Sequence, residues 1–382
     1  MIEVEKFIGL DSLPAAYEAL FHAAGKRSFF LTRPWFLNFE RHVGSRKETI
    51  IYVAKNSAEP RVALGALILW QKNEPSLIFK SARLEALANY YTSYYSPLVA
   101  GEEVNFGELA AAFAEALWQE KRRWDVLNLF PLDPEAVVFR ALLESFRAVG
   151  AAAQTYFCYG NWYLKVAGRS YAEYFQALPK ILRKNIPYET RKLEKRGSVR
   201  IEVATDLESL GPALGDYERI YNASWRVPEP YPDFIRGLAR LAATNGWLRL
   251  GVLYFNNEPA AAQFWIVHEG VASIYKICYQ EKFASLSVGK ILTARMIERA
   301  IDIDKVREID YLSGDDDYKK EWMSHRRERW GIKVFNSRSM KGLVLAVRHI
   351  GGRAVKRRWA RAVAGRKSAA ENLAGSPITA RG

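Results

Sequence analysis

The chain has 382 residues, 49% of them hydrophobic, which marks a globular protein with apolar material for about two domains of ordinary size. The formal charge of +14 is concentrated in residues 338–382, where eleven Lys or Arg face only Glu371, so the body of the chain is not notably basic. Cys158 and Cys278 lie in separate apolar runs, away from any Cys-x-x-Cys or Cys/His cluster, which argues against a disulfide scaffold and a structural zinc site.

A helix is expected over 12–24. The segment Phe29-Phe30-Leu31-Thr32-Arg33-Pro34-Trp35-Phe36 follows, with its proline in the first turn of a second helix. Apolar runs at 49–54, 62–71 and 76–80 predict a meander. Residues 89–97 hold Tyr90, Tyr91, Tyr94 and Tyr95, whose rings and hydroxyls either line a substrate pocket, through Tyr91 and Tyr94, or pack in the core. The order then runs amphipathic helix (106–118), strand (125–130), helix from Asp133-Pro134 to about Val149, and strand (153–165).

Residues 170–196 are expected to form two short helices broken near Pro179 and Pro187. Lys180, Arg183, Lys184, Arg191, Lys192, Lys195 and Arg196 make this segment either a solvated helix face or a basic wall for an anionic substrate or cofactor phosphate, with Arg183 as the candidate substrate contact. Helices at 206–221 and 233–244 bracket Ser224-Trp225-Arg226-Val227-Pro228-Glu229-Pro230-Tyr231-Pro232. That stiff stretch reads as a loop over a cleft, offering Trp225 and Tyr231, or as surface packing.

The most informative stretch is 246–322. Runs 247–255, 260–267 and 271–279 form an antiparallel meander, and Ser287-Val288-Gly289-Lys290 opens a helix whose N-terminus suits an anion. A strand at 307–312 leads into Ser313-Gly314-Asp315-Asp316-Asp317-Tyr318-Lys319-Lys320-Glu321-Trp322 and another helix. Beyond Phe335, Leu343, Val344, Val347, Ile350, Val355 and Trp359 read either as an interrupted basic amphipathic helix for an anionic membrane surface or nucleic acid, or as a loosely ordered tail. Residues 368–382 have a composition suited to disorder.

The second half resembles the GNAT superfamily of N-acyltransferases, in particular the CelD-like branch related to the FemABX peptidyltransferases, in which two GNAT-like domains are fused. The resemblance rests on Leu178-Pro179-x-x-Leu182-Arg183-x-Asn185 with Leu193-Glu194-x-x-Gly197, and on Gly251–Tyr254 with Pro259-Ala260-Ala261. It rests also on Tyr275-x-x-x-Tyr279 with Ser287-x-Gly289, and on Gly314-x-x-x-Tyr318-Lys319-x-x-Trp322. It implies an α/β fold with mixed sheets and two tandem GNAT-like domains, each a mostly antiparallel meander flanked by helices. The expected boundaries are 1–165, 166–337 and a basic tail over 338–382.

The resemblance further implies a pantetheine arm along 271–279, met by Tyr275, Ile277 and Tyr279, and a pyrophosphate at Ser287, Val288, Gly289 and Lys290. The cofactor so implied is acyl-CoA, acetyl-CoA in the first instance, with no metal. The fuller Arg/Gln-x-x-Gly-x-Gly/Ala loop of the family is reduced here to Ser-x-Gly. Acyl transfer to an amine needs a base, carbonyl polarisation and an acid for the departing thiolate. Tyr318 is the candidate acid and Lys319 a candidate anion contact. Asp315, with Asp316 and Asp317 beside it, is the candidate base or a helix cap.

The function expected is acyl-CoA-dependent N-acyltransfer to an amine-bearing acceptor such as an envelope or exopolysaccharide precursor. The alternatives are FemABX-like transfer from aminoacyl-tRNA, or a non-catalytic recruiter in polysaccharide synthesis. The absence of a basic start with an apolar core, and of any apolar run near ~18 residues, predicts a cytoplasmic bacterial protein, with peripheral inner-membrane contact through the tail as an expectation. No Gly-x-x-x-x-Gly-Lys-Ser/Thr, His-Glu-x-x-His or Gly-x-Ser-x-Gly motif is present, which disfavours P-loop, zinc-protease and serine-esterase chemistry.

Overall fold

The computed structural model describes residues 2–44, 48–75, 80–120 and 124–351. Thirteen strands are ordered along the described residues: β1 (Ile2–Ile8), β2 (Glu48–Asn56), β3 (Glu59–Pro75), β4 (Lys80–Ala86), β5 (Leu98–Val99), β6 (Val126–Leu132), β7 (Ala152–Lys165), β8 (Val199–Ala204), β9 (Leu248–Phe255), β10 (Glu258–His268), β11 (Val271–Tyr279), β12 (Glu308–Asp310) and β13 (His325–Phe335). They form one mixed sheet in the order β1-β2-β3-β4-β6-β13-β7-β12-β11-β10-β9-β8, with β5 paired to β3. The mixed α/β class and the two meanders are as expected, but the meanders are joined into a single sheet.

The joint is a crossover that chain order does not suggest. β13 returns from the second half to pair antiparallel with both β6 and β7, while the end of β7 pairs with β12 through Tyr163 to Asp310. Ile332, Val334 and Phe335 on β13 are fully buried, and Ile332 and Val334 join a core shared by residues as distant as Leu10 and Phe264. A second core packs β10 and β11 against the helices Val288–Asp302 and Lys180–Glu194.

Several expected elements differ. The helix expected over 12–24 begins only at Glu18, after 3-10 turns on either side of Pro14, which has no N–H to give an earlier turn. The strands β1, β8 and β13 were not anticipated from the sequence, because each carries charged residues through a half-exposed face. Pro187 does not break the basic segment: the helix Lys180–Glu194 runs through it, held by buried Leu182, Ile186 and Leu193 against the second core. Residues 76–79 of one expected strand, and Val355, Trp359 and the rest of 352–382, lie outside the described residues.

Candidate active site

The site begins where two strands part. β11 and β12 pair in parallel for only three residues, Val271 with Glu308, Ala272 with Ile309 and Ser273 with Asp310. A bulge then shifts the β10–β11 register between Phe264–Lys276 and Trp265–Ile274, so β11 bends at Tyr275. On the other side Leu312 adopts a left-handed φ of 57°. That conformation is costly for leucine and is held by Asp310, whose Oδ1 accepts from Leu312 N (2.7 Å), and by Asn161, whose Nδ2 donates to Leu312 O (2.7 Å). The parting strands open a cleft of about 290 Å3, with Tyr91, Arg226, Lys276, Asp316, Tyr318 and Lys319 on its walls.

One wall is a buried ion pair. Lys276 Nζ lies 2.8 Å from Glu229 Oε2, both side chains are largely buried, and Tyr91 donates its hydroxyl to Glu229 Oε1. Lys276 also sits over the rings of Tyr91 (4.9 Å) and Tyr221 (5.6 Å). Burial lowers its pKa, against the opposing pull of Glu229. Burial and the bond to Glu229 raise the Tyr91 hydroxyl, and burial with the Glu229 charge pushes Tyr221 up to about 12. Sequence reasoning assigned no role to Lys276 or Glu229. The available signal was a lone lysine in the apolar run Val-Ala-Ser-Ile-Tyr-Lys-Ile-Cys-Tyr.

The opposite wall is the turn before the helix Asp317–Trp322. Tyr318 stands edge-on to Tyr311 at 5.8 Å, and desolvation, aided by Asp316, pushes its hydroxyl up to about 12. Lys319 is buried, with Nζ donating to Ser313 O (2.6 Å) and paired with Asp316 Oδ2 (3.0 Å). Its ammonium therefore holds the turn and orients Asp316. Asp315 is directed elsewhere: Arg326 binds it at 2.7 Å, Trp162 Nε1 donates to it at 2.8 Å, and the Arg326 hydrogen bond lowers its pKa. Asp316 lines the cleft and Asp315 does not.

The expected cofactor track is only partly open. Tyr275 and Ile277 line the cleft, whereas Tyr279 lies against Trp225 with ring centroids 4.3 Å apart. Arg226 Nε donates to Ile277 O (2.9 Å), so the loop after Tyr221 rests on the edge a pantetheine arm would follow. Ser287 precedes the helix Val288–Asp302 with a left-handed φ of 55° and makes no side-chain cap. A Cβ at Gly289 would lie 3.2 Å from Tyr279 Cδ1, so the glycine serves close helix–strand packing. Val288 is buried in that packing, and Lys290 follows it in the first turn. Tyr231 packs on Tyr91 (6.2 Å), and Arg183 reaches Gln176 (3.3 Å) without lining the cleft.

A second cleft of about 250 Å3 shares Ser93 and Leu312 with the first. Tyr94 lines it beneath Arg329, whose guanidinium is 5.1 Å from the ring centroid and whose buried Nε has no hydrogen-bond partner among the described residues. Asp133, Glu308 and Asp310 supply carboxylates, the latter two bound by Arg327. Burial raises the pKa of Glu308 despite Arg327. A raised carboxyl pKa means that the folded state binds the extra proton, so stability from this group falls as pH rises from about 4.5 through the folded pKa. Glu308→Gln is therefore expected to melt higher than wild type at pH 7, with the difference vanishing near pH 4, as scanning calorimetry would show.

Among the described residues no group of three or more His, Cys, Asp or Glu is placed to hold a metal ion, and no helix is long and apolar enough to cross a membrane. Residues 181–320 match the family model described as an acetyltransferase (GNAT) domain. FemX superposes with a TM-score of 0.57 at 10% identity, over 87% of this chain and 98% of FemX. A conserved protein of unknown function from Bacteroides thetaiotaomicron gives 0.53 at 10% identity, over 88% and 100%. The C-terminal domain of a protein described as a lysylphosphatidylglycerol synthetase from Agrobacterium fabrum gives 0.50 at 11%, over 87% and 96%. No curated protein is significantly similar in sequence. The structural likenesses are to the fold, and the segment that matches the family model contains both strands that part at the cleft.

Proposed function

We propose that the chain is an acyl-CoA-dependent N-acyltransferase whose reaction takes place between the parted ends of β11 and β12. The observation that carries this reading is the cleft itself: a bulged strand, unpaired beyond Ser273 on its β12 side, faces a turn bearing a tyrosine and a carboxylate. The acyl thioester lies along β11 once Arg226 leaves Ile277 O, and its guanidinium then polarises the thioester carbonyl. Asp316, oriented by Lys319, takes a proton from the acceptor amine. The amine nitrogen bonds to the acyl carbon, the carbon–sulfur bond breaks, and the Tyr318 hydroxyl gives its proton to the departing thiolate.

The acceptor's amine enters from the second cleft past Ser93 and Leu312. The carboxylates there suit an ammonium, and Arg329 suits an anionic group on the same molecule. An amino-sugar or other envelope precursor is the acceptor class consistent with the CelD-like resemblance. Release of free thiol from acetyl-CoA, measured with a thiol reagent against amino sugars and other amines, tests this. Amine-dependent thiol release is expected; hydrolysis-level release with every acyl-CoA and amine would contradict it.

A second reading is favoured by one observation. Arg226 already occupies the Ile277 carbonyl, so a donor that needs no pantetheine track, such as an aminoacyl ester carried on tRNA, would use the same cleft without moving that loop. Transfer from charged tRNA with no thiol release from acyl-CoA would favour it.

A further inference from the structure

The last helix of the described chain, Met340–Ala346 continued by Val347–Gly351, has two apolar faces. One is fastened to the fold. Ser339 accepts from Gly342 N and donates to Asp125, and a Cβ at Gly342 would fall 2.3 Å from Asn336 O and 2.8 Å from Asp125 O. Leu345 and Ala346 are buried with Val126 and Phe335, and the His349 ring lies 5.5 Å from that of Phe335. The orientation of the helix is thereby fixed.

The outward face consists of Met340, Leu343, Val344, Val347 and Ile350, each at least 41% exposed. Spacings of three, four and seven place these residues on one side of a helix. Scattered exposed apolar residues need no explanation, but a contiguous stripe on a rigidly docked helix does. Its segment is cationic: Arg338, Lys341 and Arg348 belong to it, and in the sequence that follows, outside the described residues, 353–367 hold Arg353, Lys356, Arg357, Arg358, Arg361, Arg366 and Lys367 with no acid among them. An apolar stripe bordered by positive charge is complementary to a surface that offers acyl chains beneath negative headgroups. Nucleic acid would match the charge but leave the stripe in water.

We propose that this face docks the protein on an anionic lipid bilayer. The inference does not depend on the proposed chemistry, because no residue of the stripe lines either cleft.

The test is flotation of the full-length protein with phosphatidylcholine vesicles, pure or containing about one-third phosphatidylglycerol. Binding to the anionic vesicles is expected to exceed that to neutral ones by at least about tenfold, and to fall in about 0.5 M NaCl. Leu343→Asp with Val347→Asp is expected to weaken it at least about tenfold, with an unchanged melting temperature. Leu343→Ser with Val347→Thr provides the same comparison if the charged variant unfolds. No binding by wild type, or equal binding by wild type and a folded stripe variant, would overturn the proposal, the latter by leaving only unspecific tail electrostatics. A wild-type dimer that the variant converts to monomer, by light scattering, would also overturn it, because a second copy would then cover the stripe.

Discussion

Tyr318→Phe is expected to lower turnover with acetyl-CoA by at least about 10²-fold while leaving the KM for the thioester little changed. The substitution removes one hydroxyl from a side chain that is 42% exposed, so the fold should tolerate it. A hydroxyl pushed up to about 12 remains protonated across the working range, as a proton donor to a thiolate must be. With the pKa raised, the acid function is lost only as pH approaches 12, so no descending limb of the wild-type profile in the neutral range belongs to Tyr318. Steady-state kinetics from pH 6 to about 10 would check both points. Full activity in a folded Tyr318→Phe protein would remove this residue from the mechanism.

Lys276→Met should cost more in stability than any other single change at the site. It leaves the Glu229 carboxylate in a largely buried position with only the neutral hydroxyls of Tyr91 and Tyr221 beside it. Breaking one side of a buried pair typically costs about 3–5 kcal/mol, which for a chain of this size corresponds to a melting temperature lower by roughly 4–6 °C. Lys276→Met combined with Glu229→Gln is expected to recover much of that loss, since the orphaned charge is then absent, and thermal denaturation of all four proteins closes the cycle. The pH dependence has the opposite sense to that of Glu308. A lysine with a lowered folded pKa makes stability rise with pH between the folded value and the unfolded value near 10.5, and this rise should disappear in Lys276→Met.

The meander β9–β11 and the helices Leu207–Asn222 and Pro232–Thr244 were legible because their signals are local. Apolar runs alternate with turns, and Asp206 forms a capping box with Ser209. β13 was not legible: His325-Arg326-Arg327-Glu328 reads as a loop, and its partners β6 and β7 lie more than 150 residues earlier. Pro187 misled for a related reason, since burial of Leu182, Ile186 and Leu193 by distant residues offsets the missing backbone bond.

The site divides in the same way. That Tyr318 lines the cleft was legible because its motif is contiguous, and that Tyr91, Tyr275 and Ile277 do so because they lie in aromatic or strand runs. The preference for Asp316 over its neighbour Asp315 depends on Arg326 and Trp162, which no spacing within the acidic run could reveal. The pairing of Lys276 with Glu229 joins a strand to a loop 47 residues away and becomes visible only in three dimensions.

In the proposed reaction an acyl-CoA lies along the parted end of β11 with its pyrophosphate at the following helix. Hydrogen–deuterium exchange of the intact protein, with and without acetyl-CoA, tests this most directly. Slower exchange in both Ile274–Tyr279 and Ser287–Ile291 on adding the thioester is the predicted result. Unchanged exchange in both segments at saturating acetyl-CoA would contradict it.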